Sequence, residues 1–417
     1  PVQFTPCPTS RDDVALLGFT SGTTGLPKAA IQLHRKIATA ARVLGKIGFR
    51  FKPSDRLYLC LPIYHITGLG PGFCGALAAG ASVYLRRSFS ASKFWDEVQQ
   101  YNTNCFVYVG ELCRYLAAQP ENPAEKNNPL EKMLGNGLRP DVWDEFKIRF
   151  GVKRISEIYG ASEGNASFVN MLNKDKTIGG AATPVALVKY DNDNDEILRD
   201  SQGRCIEVPI GEPGLLLAQI TPKTEFDGYT NPEATAKKLV ENVLAHGDQW
   251  FNTGDLIRQI DVGFALGIKH FQFVDRTGDT FRWRAENVST NEVGEVINAH
   301  PQINMANVYG VEVPGIEGRA GMVAFELEDG VELDIAEFQR IVERELPAYA
   351  QPVFIRVQRS VETTATFKLL KTDLREEAYH PTKVGDDLIL VRKPRSAGYE
   401  ALDTEFYQQI VDAASGY

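Results

Sequence analysis

Thr20-Ser21-Gly22-Thr23-Thr24-Gly25-Leu26-Pro27-Lys28 gathers four hydroxyls in five positions, two glycines and a terminal lysine into one short stretch. Glycines let backbone N–H groups approach phosphate oxygens, hydroxyls add donors, and the lysine supplies charge. The stretch therefore reads as a loop that wraps a polyphosphate. It is not the GxxxxGK[ST] loop, because Gly22, Gly25 and Lys28 are spaced differently and Pro27 bars direct entry into a helix. An ordinary turn between strand and helix accounts for most hydroxyl-rich segments; the full string is more specific than that.

Working outward, residues 14–19 form a short apolar run entering this loop, and residues 35–44 read as a helix after it. Residues 57–61 and 82–85 read as buried strands and 94–101 as an amphipathic helix. A strand is expected over 106–109 and a helix over 142–150. Such alternation predicts βαβ units around a largely parallel sheet. From about 177 to 269 the texture changes to short strand-like pieces with turn signals at 191–195 and 201–203, which predicts a β-rich subdomain. After Asp275 an α+β pattern returns, with a helix from Asn291, a strand over 322–327 and a helix over 334–346. The expected class is α/β: a large N-terminal domain over 1–277, its β-rich subdomain at about 177–277, and a small α+β C-terminal domain over 278–417.

The 417 residues, 43% hydrophobic and 24% charged, have room for two or three domains with substantial cores. A net charge of -9, from 45 basic and 54 acidic residues, argues against a general nucleic-acid binder. An anionic substrate needs only a local positive pocket. Cys7, Cys60, Cys74, Cys105, Cys113 and Cys205 show no metal-binding spacing and read as buried thiols in a reducing compartment. No apolar run reaches the ~18 residues of a spanning helix, and no signal-peptide pattern is present.

Further segments follow in order: Leu61-Pro62-Ile63-Tyr64-His65, Gly135-Asn136-Gly137, Tyr159-Gly160-Ala161-Ser162-Glu163, Thr253-Gly254-Asp255, Asp275-Arg276-Thr277-Gly278-Asp279, and TTATFKLLK over 363–371. Together with the first loop they resemble the adenylate-forming superfamily of acyl- and aryl-CoA synthetases, nonribosomal adenylation domains and luciferases. Phe89-Ser90-Ala91-Ser92-Lys93-Phe94-Trp95, Gly135 to Pro140, and Asp279-Thr280-Phe281-Arg282-Trp283-Arg284 with Glu286-Asn287-Val288 resemble one branch. That branch is the fatty acid transport protein and very long-chain acyl-CoA synthetase family. The resemblance covers nearly the whole chain. It also implies a further ~150–200 residues before the phosphate loop, more than a small domain.

The resemblance implies an ATP-dependent fatty acyl-CoA synthetase acting on long or very long chains through an acyl adenylate. Thr20, Ser21, Gly22, Thr23, Thr24, Gly25 and Lys28 would hold the departing phosphates, and Glu163 would ligate Mg²⁺. Ser162 would hold the α-phosphate. Tyr159 and Gly160 would offer a stacking surface for adenine, Asn136 and Gly137 its polar edge, and Asp255 the ribose contact. Lys368 would bridge the attacking carboxylate and the α-phosphate; locally, Lys368 and Lys371 also fit a solvated face. Arg276 would contact the nucleotide, and Gly278 would be the hinge of a mobile C-terminal domain. Tyr64, His65, Trp283 and Ala285 would border the acyl and CoA channel, with small residues at 68–75 and 108–110 permitting a tunnel. Two positions depart from the branch, which has glycine where this chain has Ala285 and Ala365. The co-substrates are ATP, CoA and a fatty acid, the place cytoplasmic or on the cytosolic side of a membrane, with peripheral attachment through the preceding segment. The alternatives are a CoA ligase for another bulky acid, bile acid or carnitine-like, and a non-catalytic fatty-acid uptake or binding protein. No sequence signal fixes the oligomeric state.

Overall fold

The computed structural model describes residues 5, 7–20, 28–192, 194–284, 286–328, 330–361, 369–396 and 398–417, leaving aside the side chains of Thr20 and Asp141. The alternating pattern of the first half builds a seven-stranded sheet. Its order is Ser82–Leu85, Arg56–Leu59, Cys105–Val109, Lys132–Asn136, Arg154–Gly160, Ser167–Val169 and Gly180–Ala181. The first five strands run parallel and the last two antiparallel. Continuous apolar strands such as Cys105–Val109 need cover on both faces. The helices Ala91–Gln100, Gly110–Ala117 and Pro140–Ile148 contribute to one core with them, in which Phe94, Trp95, Leu112 and Phe146 are fully or almost fully buried. Ser82–Leu85 is the exception to the sequence reading. It lies at the sheet edge with Leu85 exposed, because nothing pairs on its outer side.

The segment expected as one helix over 35–44 begins as the α-helix His34–Thr39 and continues as a wider i→i+5 helix, Ala40–Phe49. A second such helix, Gly68–Cys74, packs against it. Close backbone contacts explain several of the small residues: a Cβ on Gly45 would stand 2.7 Å from the Cα of Gly75, which opens the next helix, and one on Gly68 would stand 2.7 Å from the Pro62 carbonyl oxygen. These glycines therefore serve close backbone packing. Tyr108 and Gly110 are likewise closely packed. Tyr108 is fully buried, and a Cβ on Gly110 would overlap the Gly137 carbonyl. Gly45→Ala is expected to destabilise the fold by about 1–3 kcal/mol, because backbone and not a flexible side chain stands in the way. A urea midpoint equal to that of the parent would show that the two helices separate freely.

The β-rich portion is antiparallel, as its turn signals imply. Val185–Val188, Pro213–Gln219, Gln249–Ile260 and Leu239–Glu241 adjoin in that order, and His270–Arg276 pairs with Gln249–Ile260. A separate core belongs to the C-terminal portion, where Ile303–Val311, Ala320–Leu327, Phe354–Gln358, Leu388–Val391 and Glu400–Ala401 form a mixed sheet. The amphipathic helices Thr290–Asn298 and Ile335–Glu345 begin with Ser289 and Asp334 capping their first turns. Among the described residues no helix is long and apolar enough to cross a membrane. Cys60, Cys105, Cys113 and Cys205 are buried thiols as expected, whereas Cys7 is exposed.

Candidate nucleotide and acyl-transfer site

Strand pairing closes the hydroxyl-rich loop, because Thr20 stands opposite Lys28 in the hairpin of Val14–Thr20 and Lys28–Leu33. Ser21, Gly22, Thr23, Thr24 and Gly25 lie outside the described residues, as does the Thr20 side chain. On its other edge Lys28–Leu33 meets residues 228–230. Ile31 N donates to Gly228 O at 3.0 Å, Thr230 N donates to Ala29 O at 2.9 Å, and Ala30 bridges Tyr229. That pairing delivers Tyr229 to Glu163, whose Oε1 accepts the phenol hydrogen bond at 2.7 Å. Lys28 Nζ lies 5.9 Å from the Tyr229 ring centroid. Gln32, almost fully buried, donates to the Ser162 carbonyl oxygen at 2.5 Å. Lys36 adds a cation 3.2 Å from Asp227; burial holds its pKa below the usual lysine value, against the pull of Asp227 and Glu163. The loop exit, Ser162 and Glu163 thus converge in one corner. Tyr229, Gln32 and Lys36 carry no sequence signal, since the first two find their partners 66 and 130 residues away.

This corner suits Mg²⁺, a hard cation that takes one or two carboxylates and fills its shell with phosphate and water oxygens. Glu163 supplies a half-buried carboxylate, held on one oxygen by a neutral phenol. Among the described residues no cluster of three or more His, Cys, Asp or Glu side chains forms an all-protein cage.

The nucleotide-side residues lie at the carboxyl ends of neighbouring parallel strands, where α/β sheets bind ligands. Asn136 ends Lys132–Asn136, and Gly137 follows with a φ of 78° that disfavours any side chain. Tyr159 and Gly160 end Arg154–Gly160. Thr67 Oγ1 lies 3.3 Å from Asn136 Oδ1 and the Thr67 N–H points to His65 Nδ1 at 3.4 Å, so the acyl-side segment joins the adenine-side loop. Tyr64 beside it is 70% exposed.

Asp255 sits in mid-strand, opposite Arg276 in register. Tyr159 donates its hydroxyl to Asp255 Oδ2 at 2.5 Å, and Arg276 Nε lies 3.6 Å from Oδ1. Burial pushes the Asp255 pKa above the ordinary aspartate value, and Arg276 opposes the shift. Tyr159 thus acts through its hydroxyl as well as its ring, which meets Phe168 edge-on at 5.4 Å. The pair makes one polar floor suited to vicinal ribose hydroxyls.

Beyond Arg276 the structure adds contacts that the sequence does not mark. A Cβ on Gly278 would meet nothing within 4 Å and its φ is not positive, so the local backbone does not require glycine there. The next residue is the tethered one. Asp279 accepts from Arg375 Nη2 at 2.8 Å and pairs with Lys371 Nζ at 3.3 Å. Lys371 also donates to Thr290 Oγ1 at 2.9 Å, so it is not on a solvated face. Its burial lowers its pKa against the pull of Asp279 and Asp275. Asp275 in turn accepts the Thr290 N–H at 2.6 Å. Trp283 is 2% exposed inside the C-terminal core, with its ring 6.2 Å from that of Tyr417. Ala285 and Lys368 lie outside the described residues.

Comparison with known proteins fits this geometry. The chain is 45% identical over 398 residues to the medium/long-chain-fatty-acid–CoA ligase FadD6 of Mycobacterium tuberculosis, covering 95% of this chain and 65% of that protein. It is 42% identical over 411 residues to human long-chain fatty acid transport protein 3, covering 97% of this chain and 59% of that protein. The chain thus spans less than two thirds of the length of these relatives. Crystalline ATP-bound MatB from Rhodopseudomonas palustris shares the fold, with a TM-score of 0.72 at 23% identity over 90% of this chain and 70% of that one. The AMP-binding enzyme profile matches residues 2–218 and the profile of that family's C-terminal domain matches 292–368, so the chain belongs to the AMP-binding enzyme family.

Proposed function

We propose that this chain carries the catalytic parts of an AMP-forming acyl-CoA ligase for long or very long-chain fatty acids. The convergence of Lys28 and Glu163 on Tyr229 carries the proposal, because it sets a phosphate-loop cation beside a metal-suited carboxylate. The acid class follows from relatives named as fatty-acid–CoA ligases and fatty acid transport proteins. In the first step a carboxylate oxygen of the fatty acid attacks the α-phosphorus of ATP, and the bond to the bridging oxygen breaks as pyrophosphate leaves. In the second, the CoA sulfur attacks the acyl carbon, AMP departs, and the thiol proton passes to solvent.

The residues neutralise and orient; no protein nucleophile is required. Lys28 and the 20–25 loop would hold the departing phosphates, and Ser162 the α-phosphate. Asn136, Gly137, Tyr159 and Gly160 would fix adenine, and Asp255 with Arg276 the ribose. Lys368 would draw the two anions together. Mg²⁺ held by Glu163 would supply charge stabilisation at the phosphates. CoA would reach the adenylate once the C-terminal portion, beginning near Gly278, has turned.

ATP–pyrophosphate exchange with a panel of acids tests the proposal. Exchange and thioester formation are expected with long-chain acids, with bile acids and carnitine-like acids far weaker. Preference for a bulky ring acid would reassign the substrate. Fatty-acid binding without exchange would make the chain a binding protein.

A further inference from the structure

Glu157 stands two residues before Tyr159 on the strand Arg154–Gly160, 3% exposed. The sheet register places Tyr108 beside Gly135 and Gly135 beside Glu157 on three adjacent parallel strands. Residues side by side in a sheet point to the same face, so a side chain at 135 would separate its two neighbours. Glycine leaves the space open, and a Cβ there would lie 2.2 Å from the Tyr108 carbonyl oxygen and 2.6 Å from its ring. Through that gap the Tyr108 hydroxyl donates to Glu157 Oε2. The other oxygen, Oε1, accepts the Leu138 N–H at 3.0 Å.

We propose that Glu157 is a positioning residue for the nucleotide, fixing the Asn136-Gly137-Leu138 loop from beneath so that its outer edge meets adenine. This rests on the proposed reading of that loop. The carboxyl is matched to the task, because the N–H of buried Leu138 and the phenol of buried Tyr108 both need an acceptor. Burial pushes its pKa up to about 8, while the bonds from Tyr108 and Leu138 pull the other way. Gly110 completes the fit, since any side chain there would strike the Gly137 carbonyl and lift the loop. Glu157 touches no substrate and acts only through the backbone it holds.

Three variants test this, Glu157→Ala, Glu157→Gln and Tyr108→Phe. AMP affinity is read with a fluorescent AMP derivative, and exchange kinetics with ATP and fatty acid varied separately. Glu157→Ala should weaken AMP binding and raise the KM for ATP by about 10-fold, leaving kcat and the KM for acid within about 3-fold. Glu157→Gln should stay within about 3-fold of the parent, because its amide oxygen accepts from the loop and its NH₂ donates to Tyr108. A generally loosened core would instead lower kcat and disturb both substrates. Glu157→Ala with parent-like AMP affinity overturns the proposal, and so does Glu157→Gln losing affinity for AMP and acid alike. If Glu157→Ala does not fold, Tyr108→Phe decides: about 3-fold weaker AMP binding with unchanged acid KM supports the clamp, and no change overturns it. A parent that binds AMP yet catalyses no exchange with any acid overturns the ligase reading alone, while one that binds no AMP overturns both.

Discussion

Replacing Lys28 by alanine, or Glu163 by glutamine, lowers fatty-acid-dependent ATP–pyrophosphate exchange by about 10²-fold or more, the scale of one lost transition-state charge contact. As the bond at the α-phosphorus breaks, negative charge gathers on the leaving pyrophosphate. Lys28 stands at the loop exit beside the Tyr229 ring, and Glu163 is held by the same tyrosine's hydroxyl. Alanine removes the cation. Glutamine keeps the shape and the hydrogen bond from Tyr229 but no longer offers a carboxylate to a divalent ion. AMP binding should survive both changes, since neither residue lies on the nucleoside side. Parent-like exchange in both variants, in protein that is active beforehand, sinks the assignment of this corner.

Lys368→Ala has a comparably large but divided effect: adenylate formation falls by about 10²-fold or more, while thioester formation from supplied acyl adenylate persists. A lysine that steers two anions together has no further part once they are joined. Lys371, three residues on, does not substitute for it, because it is already committed to Asp279 and Thr290. Equal loss of both half-reactions would contradict this division of labour.

The parts of the candidate site that the sequence marks are those whose chemistry is contiguous. Thr20 to Lys28, Tyr159 to Glu163 and Thr253 to Asp255 each carry their meaning within a few residues. The sheet strands were legible for a similar reason, since runs such as residues 105–109 are apolar throughout. What was hidden depends on partners brought together by register. Tyr229 looks like any turn tyrosine until Ala30 pairs beside it. Glu157 looks like an exposed charge in a strand until Gly135 opens a path to Tyr108. Trp283 is grouped with a candidate channel by its neighbours in sequence, whereas its neighbours in space are the C-terminal core. Small residues at 68–75 suggested a cavity, and composition alone does not distinguish a void from two backbones in contact.

The antiparallel rung joining Asp255 to Arg276 lies one residue from Asp275, which holds the first N–H of the helix Thr290–Asn298. In the proposed cycle, the floor of the ribose site is thus also the fulcrum of a swinging lever. Sugar bound there would stiffen the pivot, and a turn of the pivot would disturb the sugar. By thermodynamic reciprocity, whatever factor one C-terminal orientation adds to nucleotide affinity, bound nucleotide returns to that orientation. In that cycle the pivot would act as a clutch that shifts on going from bound ATP to bound acyl adenylate, before CoA enters.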